Sequence, residues 1–303
     1  MEYVTLANGI AMPVLGYGVY QIPPEETEAC VAEAIRIGYR SFDTAQAYRN
    51  EAEVGAAIRS SGIPRTEFFI TSKVWISDYG YDACRASVLK TLEVMGLEYI
   101  DLMLLHQPFG DIYGAWRALE DLYNEGKIRA IGVSNFYPDR LVDLCAFNRI
   151  RPMVNQVELH PLFQQTAALE TMRKYGVTPE AWAPLGEAKK ELLTDPILTA
   201  IGAKYKKTAA QIALRWNIDR GVVVLPKSVH TERMEENFNI LDFKLSEGEM
   251  ASLEALDQEK SLFLSHTDPA TVEMFVSTLK PAPAEEAPAA EEVPAAEEPT
   301  AEE

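Results

Sequence analysis

Between residues 15 and 240 one pattern of apolar and polar positions recurs. A short apolar, often β-branched run gives way to a polar loop, then to ten or more residues with apolar positions at helical spacing. The runs that read as strands are VLGYGV (14–19), YRSFD (39–43), FFITSKV (68–74), YIDLMLLH (99–106), RAIGVS (129–134), MVNQVEL (153–159), VTPEAWA (177–183) and GVVVLP (221–226). Helical stretches such as EETEACVAEAIRIG, DACRASVLKTLEVMG, GAWRALEDLYNEG and TAAQIALRWNIDRG separate them, several ending at the glycine that helices favour as a stop. Eight strands alternating with helices predict a (β/α)8 barrel of the TIM type, in a single α/β domain over residues 1–280. An open doubly wound sheet would announce itself by G-x-G-x-x-G after its first strand. Here Gly16 and Gly18 are followed by VYQIPPEE, with no third glycine. Upstream, YVTLANGIAMP predicts a hairpin turning at Asn8-Gly9 that caps one end of the barrel.

The last segment, residues 281–303, breaks the pattern. It is alanine, proline and glutamate with no aromatic residue, and it is expected to be a disordered acidic tail. Its eight glutamates account for much of the net charge of −18. The acidic balance argues against a nucleic-acid partner, which calls for an excess of Lys and Arg. No apolar run approaches the roughly 18 residues that span a bilayer, and the N-terminus lacks a signal-peptide layout, so no membrane and a cytoplasmic location are expected. Cys30, Cys84 and Cys145 are widely spaced in helical runs and read as free, packed thiols. The four histidines form no local zinc motif, and no metal is expected.

On the predicted barrel the reactive side chains fall at one end. Asp43 ends the second strand, Lys73 lies near the end of the third and His106 closes the fourth. Ser134 and Asn135 follow the fifth, Gln156 and Trp182 lie late in the sixth and seventh, and Lys227 and Ser228 follow the eighth. In a closed parallel barrel the strand C-termini share the face where active sites are built, and Tyr48, in the loop after strand two, leans over it. Taken singly, each has an ordinary structural explanation; their convergence has chemical sense. A phenol with a reference pKa near 10 is a better proton donor when drawn down by about two or three units. An ammonium about 3.5 Å away contributes on the order of 5 kcal/mol at an effective dielectric near 20. Asp43 would keep Lys73 charged, Lys73 would tune Tyr48, and His106 would orient a substrate oxygen.

These residues sit in GYRSFDTAQAY, FFITSKVW and YIDLMLLHQP, followed by KIRAIGVSNF, MVNQVELHP, EAWAPL and VLPKSVHTERMEEN. The set resembles the aldo-keto reductases, of the bacterial short-loop type, over nearly the whole chain to about residue 265. The resemblance implies NADPH-dependent reduction of an aldehyde or ketone, with Asp43, Tyr48, Lys73 and His106 as the catalytic tetrad and Tyr48 as the proton donor. It implies that Ser134, Asn135 and Gln156 hold the nicotinamide carboxamide, that Trp182 stacks on the ring and that Leu185 lies on the pyrophosphate side. Lys227, Ser228 and Arg233 match the adenosine 2′-phosphate site, with Glu236 and Asn237 toward the adenine. Lys227 and Ser228 also precede a helix start near Thr231, where backbone N–H groups and two bases suit a dianion.

Where many members of the family carry His-Trp-Pro, this chain has His106-Gln107-Pro108, an amide in place of an aromatic pocket wall. Tyr20 and Trp75 fall at pocket-aromatic positions. The segment LFLSHTDPATVEMFVS reads as a modest C-terminal cover over an open mouth. The expected function is reduction of small aldehydes, dicarbonyls or keto esters by a monomer. The alternatives are a regulatory or binding protein on the same barrel, docking partners through the acidic tail, and a barrel of other chemistry such as a metal-assisted hydrolase.

Overall fold

A computed structural model of the chain describes residues 1–188, 190–277 and 279. The tail expected to be disordered, 281–303, lies outside the described residues. The chain opens with β1 (Tyr3–Thr5) and β2 (Ala11–Pro13), an antiparallel pair in which Val4 faces Met12. The turn runs through Asn8 and Gly9, whose φ of +86° is a conformation that glycine adopts without strain. Leu6 and Met12 are buried beneath this hairpin. Asn8 Nδ2 donates to the Arg129 carbonyl at 2.9 Å, which fastens the hairpin to the entry end of a barrel strand.

The next strands are β3 (Tyr17–Gly18), β4 (Ser41–Asp43), β5 (Phe69–Val74), β6 (Ile100–Leu105), β7 (Ile128–Ser134), β8 (Val154–Glu158), β9 (Thr178–Trp182) and β10 (Val223–Val224). They pair in parallel in sequence order. The ring closes where Leu15 bridges Val224 and the Gly16 amide donates to the Val224 carbonyl at 2.9 Å. Gly16 has a steric reason: a Cβ there would stand 2.7 Å from Leu225 Cδ2. This is the eight-stranded parallel barrel that the alternating pattern predicts, with helices outside it and the hairpin across the entry end.

Each β-strand sends alternate side chains inward and outward, and both faces of β5, β6 and β8 are buried. Parallel strands covered on both faces read as continuous apolar runs, as YIDLMLLH does. The two ends of the barrel then divide their labour. At the entry end Asp101 is wholly buried and paired with Arg65 at 2.6 Å and Arg129 at 2.7 Å, a clamp across neighbouring segments. At the exit end three of the strands finish in Asp43, Ser134 and Trp182, and Lys73 lies one residue before the end of β5.

Candidate active site

Tyr48 owes its place to a pinned loop. After Asp43 the chain makes a single 3₁₀ turn, Gln46–Tyr48, and leaves it through Arg49 in the left-handed region, φ +60°. Asn50, wholly buried, holds the crossing. Its Oδ1 accepts from Thr44 Oγ1 at 2.7 Å, and its Nδ2 donates to the carbonyls of Val19 and Ile22, both at 3.1 Å. Gln46 ties the other side by accepting from the Trp75 amide and donating to Thr91. The phenol therefore rests on a fixed support, part-buried over the barrel mouth.

Beneath it lies Lys73, with no exposed surface. Its Nζ donates to Asp43 Oδ1 at 2.5 Å, to the Thr44 carbonyl at 3.0 Å and to Tyr48 Oη at 3.2 Å. An ammonium has three N–H donors, and all three are used. Burial by itself would strip this group of its proton. Asp43, then Tyr48 and the hydrogen bonds to both outweigh burial and hold the lysine above its ordinary value. Because Tyr48 oxygen accepts from Lys73, its own proton is free to point elsewhere.

The phenol itself departs from expectation. Burial, the largest influence, pushes Tyr48 up to about 12; Lys73 pulls it down and Asp43 partly offsets that pull. The expected net lowering does not appear, because desolvation of a phenolate outweighs one neighbouring ammonium. Tyr48 is thus fully protonated at neutral pH, the form that a proton donor needs. His106 is neutral as well: burial foremost, then the charge of Lys73, keep its pKa far below the usual imidazole value. Its ring meets those of Tyr48 and Trp75 edge-on, at 5.7 and 5.1 Å between centroids. Its buried Nδ1 has no hydrogen-bond partner among the described residues.

Residues 6–258 match the family model described as the aldo/keto reductase family. The chain belongs to that family. It is 47% identical over 262 residues to the 9,11-endoperoxide prostaglandin H2 reductase of Trypanosoma cruzi (strain CL Brener), covering 86% of this chain and 93% of the relative. It is 46% identical over 262 residues to the glyoxal reductase of Bacillus subtilis (strain 168), covering 86% and 94%. Among solved structures, an aldo-keto reductase enzyme from a Medee basin deep-sea metagenome library superposes with a TM-score of 0.86. The two are 41% identical, and the match covers 88% of this chain and 98% of that one. As a member of the aldo/keto reductase family the protein is an oxidoreductase. Among the described residues no group of three or more His, Cys, Asp or Glu is placed to hold a metal ion, and no helix is long and apolar enough to cross a membrane. All three cysteines are free and buried.

Ser134, Asn135, Gln156 and Trp182 form one cluster beside the tetrad. Ser134 Oγ donates to the Gln156 carbonyl, Asn135 Nδ2 donates to Ser134 Oγ and to the His106 carbonyl, and Trp182 Nε1 donates to Asn135 Oδ1. Asn135 reaches these partners from the left-handed region, φ +66°. Gln156 differs from expectation: its Nε2 donates to Asp43 Oδ2 at 2.8 Å and to Glu180 Oε2 at 2.9 Å, so its amide nitrogen is committed to the barrel interior. Leu185 lies part-buried in the turn after β9. Lys227 is exposed and Ser228 buried just after β10, and Tyr17 donates to the Ser228 carbonyl. Arg233 is exposed on the helix Thr231–Phe238, which also carries Glu236 and the buried Asn237. Glu236 accepts from Thr208 Oγ1 at 2.6 Å.

The C-terminal segment over the mouth is tied to the barrel. Gln107 is buried, and its Oε1 lies 2.9 Å from His266 Nε2 of the C-terminal segment. His266 in turn packs against both Phe109 and Phe275 in a three-ring cluster, and Phe275 meets Trp75. Glu158, at the end of β8, anchors the same segment by accepting from Ser261 Oγ at 2.5 Å and the Leu262 amide at 2.8 Å. Phe263 then packs on Trp182 at 5.3 Å. The cover is short but fastened at two points. A cavity of about 660 Å³ flanks this stack, lined by Phe109, Asn135, Tyr137, Arg140 and His266 among others, and none of the tetrad lines it. Tyr20, half-exposed, leans on the Tyr48 ring at 4.9 Å.

Sequence reading misses Asn50, Glu180 and His266. For Glu180 a signal existed: it shares strand parity with Trp182, two residues on, so the alternation that aims one inward aims the other as well. Asn50 and His266 act through partners in other segments, Val19 and Ile22 for the first and Gln107 for the second, which no local pattern discloses.

Burial holds the His266 pKa down at about 4. A histidine with a depressed folded pKa contributes stability that is present above its unfolded value near 6.5 and is lost as pH falls toward 4. His266→Phe, which keeps the stacked ring, is expected to lose less stability than the native chain between those two pH values, by up to roughly 3 kcal/mol. Urea unfolding at several pH values checks this; parallel curves would contradict it.

Proposed function

We propose that the protein reduces small aldehydes and ketones, dicarbonyls and keto esters among them, to alcohols with NADPH, and that Tyr48 is the proton donor. The observation that carries the reading is the buried Lys73 ammonium 3.2 Å from the Tyr48 oxygen, with every donor satisfied. A buried acid–lysine–phenol chain has no packing purpose that an apolar trio would not serve better. When bound, the reduced nicotinamide supplies the hydride.

The residues present suit such a cofactor. The part-exposed Trp182 offers an aromatic face at the exit end, beside Ser134, Asn135 and Gln156, with Leu185 in the turn beyond. Lys227 and Arg233 are exposed and make no ion pair among the described residues, although the chain is strongly acidic. Together with Ser228 and the amide groups opening the helix Thr231–Phe238, they make a donor set fit for the 2′-phosphate that distinguishes NADPH from NADH. Glu236 and Asn237, on the same helix, are assigned to the adenine side.

In the reaction Tyr48 gives its phenolic proton to the carbonyl oxygen. Lys73 stabilises the phenolate left behind and Asp43 keeps Lys73 charged and still. Neutral His106, with its ring edge toward Tyr48, orients the carbonyl oxygen and excludes water together with Trp75 and Tyr20. A small carbonyl suits the covered mouth, and a relative of 46% identity is named a glyoxal reductase.

A panel of small aldehydes, ketones and dicarbonyls, followed by loss of NADPH absorbance, tests the activity. Tyr48→Phe is expected to bind NADPH as the native chain does while turnover falls by about 10²–10⁴; substantial residual reduction would place the proton donor elsewhere. Arg233→Ala is expected to raise the KM for NADPH by roughly 10–100-fold, the worth of a charge-assisted hydrogen bond, with little effect on NADH. Equal losses for the two cofactors would contradict the phosphate assignment.

A further inference from the structure

Glu180 lies in the middle of β9, wholly buried, with its Cα paired in register to Gln156 on β8. Paired residues of adjacent strands point the same way, so both side chains enter the barrel below the site. Gln156 Nε2 has two N–H donors and divides them between Asp43 Oδ2, at 2.8 Å, and Glu180 Oε2, at 2.9 Å. One amide thus joins two carboxyl groups, and the first of these holds Lys73. The other Glu180 oxygen, Oε1, is buried with no hydrogen-bond partner among the described residues. Nothing in the tetrad mechanism requires this acid.

We propose that Glu180 is a positioning residue for the reduction: joined to Asp43 through the Gln156 amide, it sets how much negative charge lies beneath Lys73, and so how strongly Lys73 acts on the Tyr48 phenol. This role rests on the reductase reading given above. The charged groups around Glu180 are few. Asp43 reaches toward it from β4 and Lys73 from β5, with Tyr48 and His106 beyond them at the mouth. Gln156 on β8 is uncharged; Glu158, two residues on toward the exit end, is engaged by His160, Ser261 and the Leu262 amide, and β10 contributes only Val223 and Val224. On β6 and β7 the ionisable residues, Asp101 and Arg129, are paired with each other at the opposite end of the barrel.

Two carboxyl groups therefore lie near one ammonium, and only Asp43 is bonded to it. All three Lys73 donors go to Asp43, Thr44 and Tyr48, so none is left for Glu180. An ionised carboxylate there would be buried with one hydrogen bond and no cation of its own, which is costly. Burial foremost, and then the charge of Asp43, push the Glu180 carboxyl up to about 8. At neutral pH the acid is held with its proton, the Asp43–Lys73 pair is electrically balanced, and the ammonium's pull on Tyr48 is opposed by one carboxylate only. Loss of the proton sets a second negative charge under Lys73. That charge makes the Tyr48 proton harder to give up and slows reduction.

The test is Glu180→Gln, which keeps the shape and the acceptor oxygen and cannot ionise. Carbonyl reduction is measured from pH 6.5 to 9 for both proteins, together with thermal unfolding of the cofactor-free proteins over pH 4.5 to 9. The ratio of turnover, variant over native, is expected to rise at least roughly threefold through an inflection near 8, while the KM ratio for the carbonyl stays flat. A carboxyl whose folded pKa is raised loses native stability as pH climbs from its unfolded value near 4.5 to its folded one. The stability advantage of the variant should therefore widen over that interval and then level off. Turnover with a constant ratio would overturn the positioning role alone, and a pH-independent stability gap would overturn the protonated state on which it depends. Absence of carbonyl turnover in the native protein at every pH would overturn the reductase reading and this role with it, and is distinguished from the other two because the unfolding curves need no activity.

Discussion

A charged lysine inside a barrel is the constraint to which the rest of this structure answers. Lys73 has no contact with solvent, and an isolated ammonium in such surroundings would surrender its proton. It stays charged because Asp43 lies 2.5 Å away and the Thr44 carbonyl and Tyr48 oxygen take the remaining donors. Those partners come from β4 and the loop that leaves it, and parallel pairing of β4 with β5 is what brings them beside Lys73. Removing one partner of such a pair typically costs about 3–5 kcal/mol, whereas an apolar replacement of the whole would be neutral or stabilising. Stability thus gives no reason to keep the pair; the proposed proton transfer at the phenol would.

The barrel separates that chemistry from its own support. The clamp of Asp101 with Arg65 and Arg129 and the N-terminal hairpin belong to the entry end, away from the mouth, where they bind strand ends without facing a ligand. The exit end carries the tetrad, the Ser134–Asn135–Trp182 cluster and the exposed cations near the helix Thr231–Phe238. Between the two, Glu180 and Gln156 occupy the barrel interior, where the Gln156 amide bonds to both Glu180 and Asp43. The C-terminal segment completes the mouth, held by Glu158 and by the Gln107–His266 contact.

Much of this was legible in the chain. The eight strands announce themselves because strands covered on both faces are continuous apolar runs; Asp43, Lys73 and His106 are conspicuous because each interrupts or ends such a run, and Tyr48 because it lies in a loop off any periodic face. What the sequence conceals is the direction of net electrostatic effects and the choice of long-range partners. The pull of Lys73 on Tyr48 can be foreseen from the residue types, yet burial of the phenol, a property of the assembled barrel, decides the sign. The contact of Gln107 with His266 is hidden because the two are 159 residues apart. Glu180 passes as one acid in an apolar strand until pairing of β8 with β9 sets it beside Gln156.

The most direct test removes the positive charge without leaving a buried carboxylate unpaired. In the double variant Asp43→Asn/Lys73→Met the ion pair is replaced by neutral groups of similar size, and Tyr48 is kept. Single-turnover reduction of a small carbonyl, at saturating NADPH, isolates the chemical step. The expected result is a folded protein that binds NADPH as before and reduces carbonyl about 10²–10⁴-fold more slowly. A rate within a few-fold of the native one would show that the phenol works without the buried ammonium.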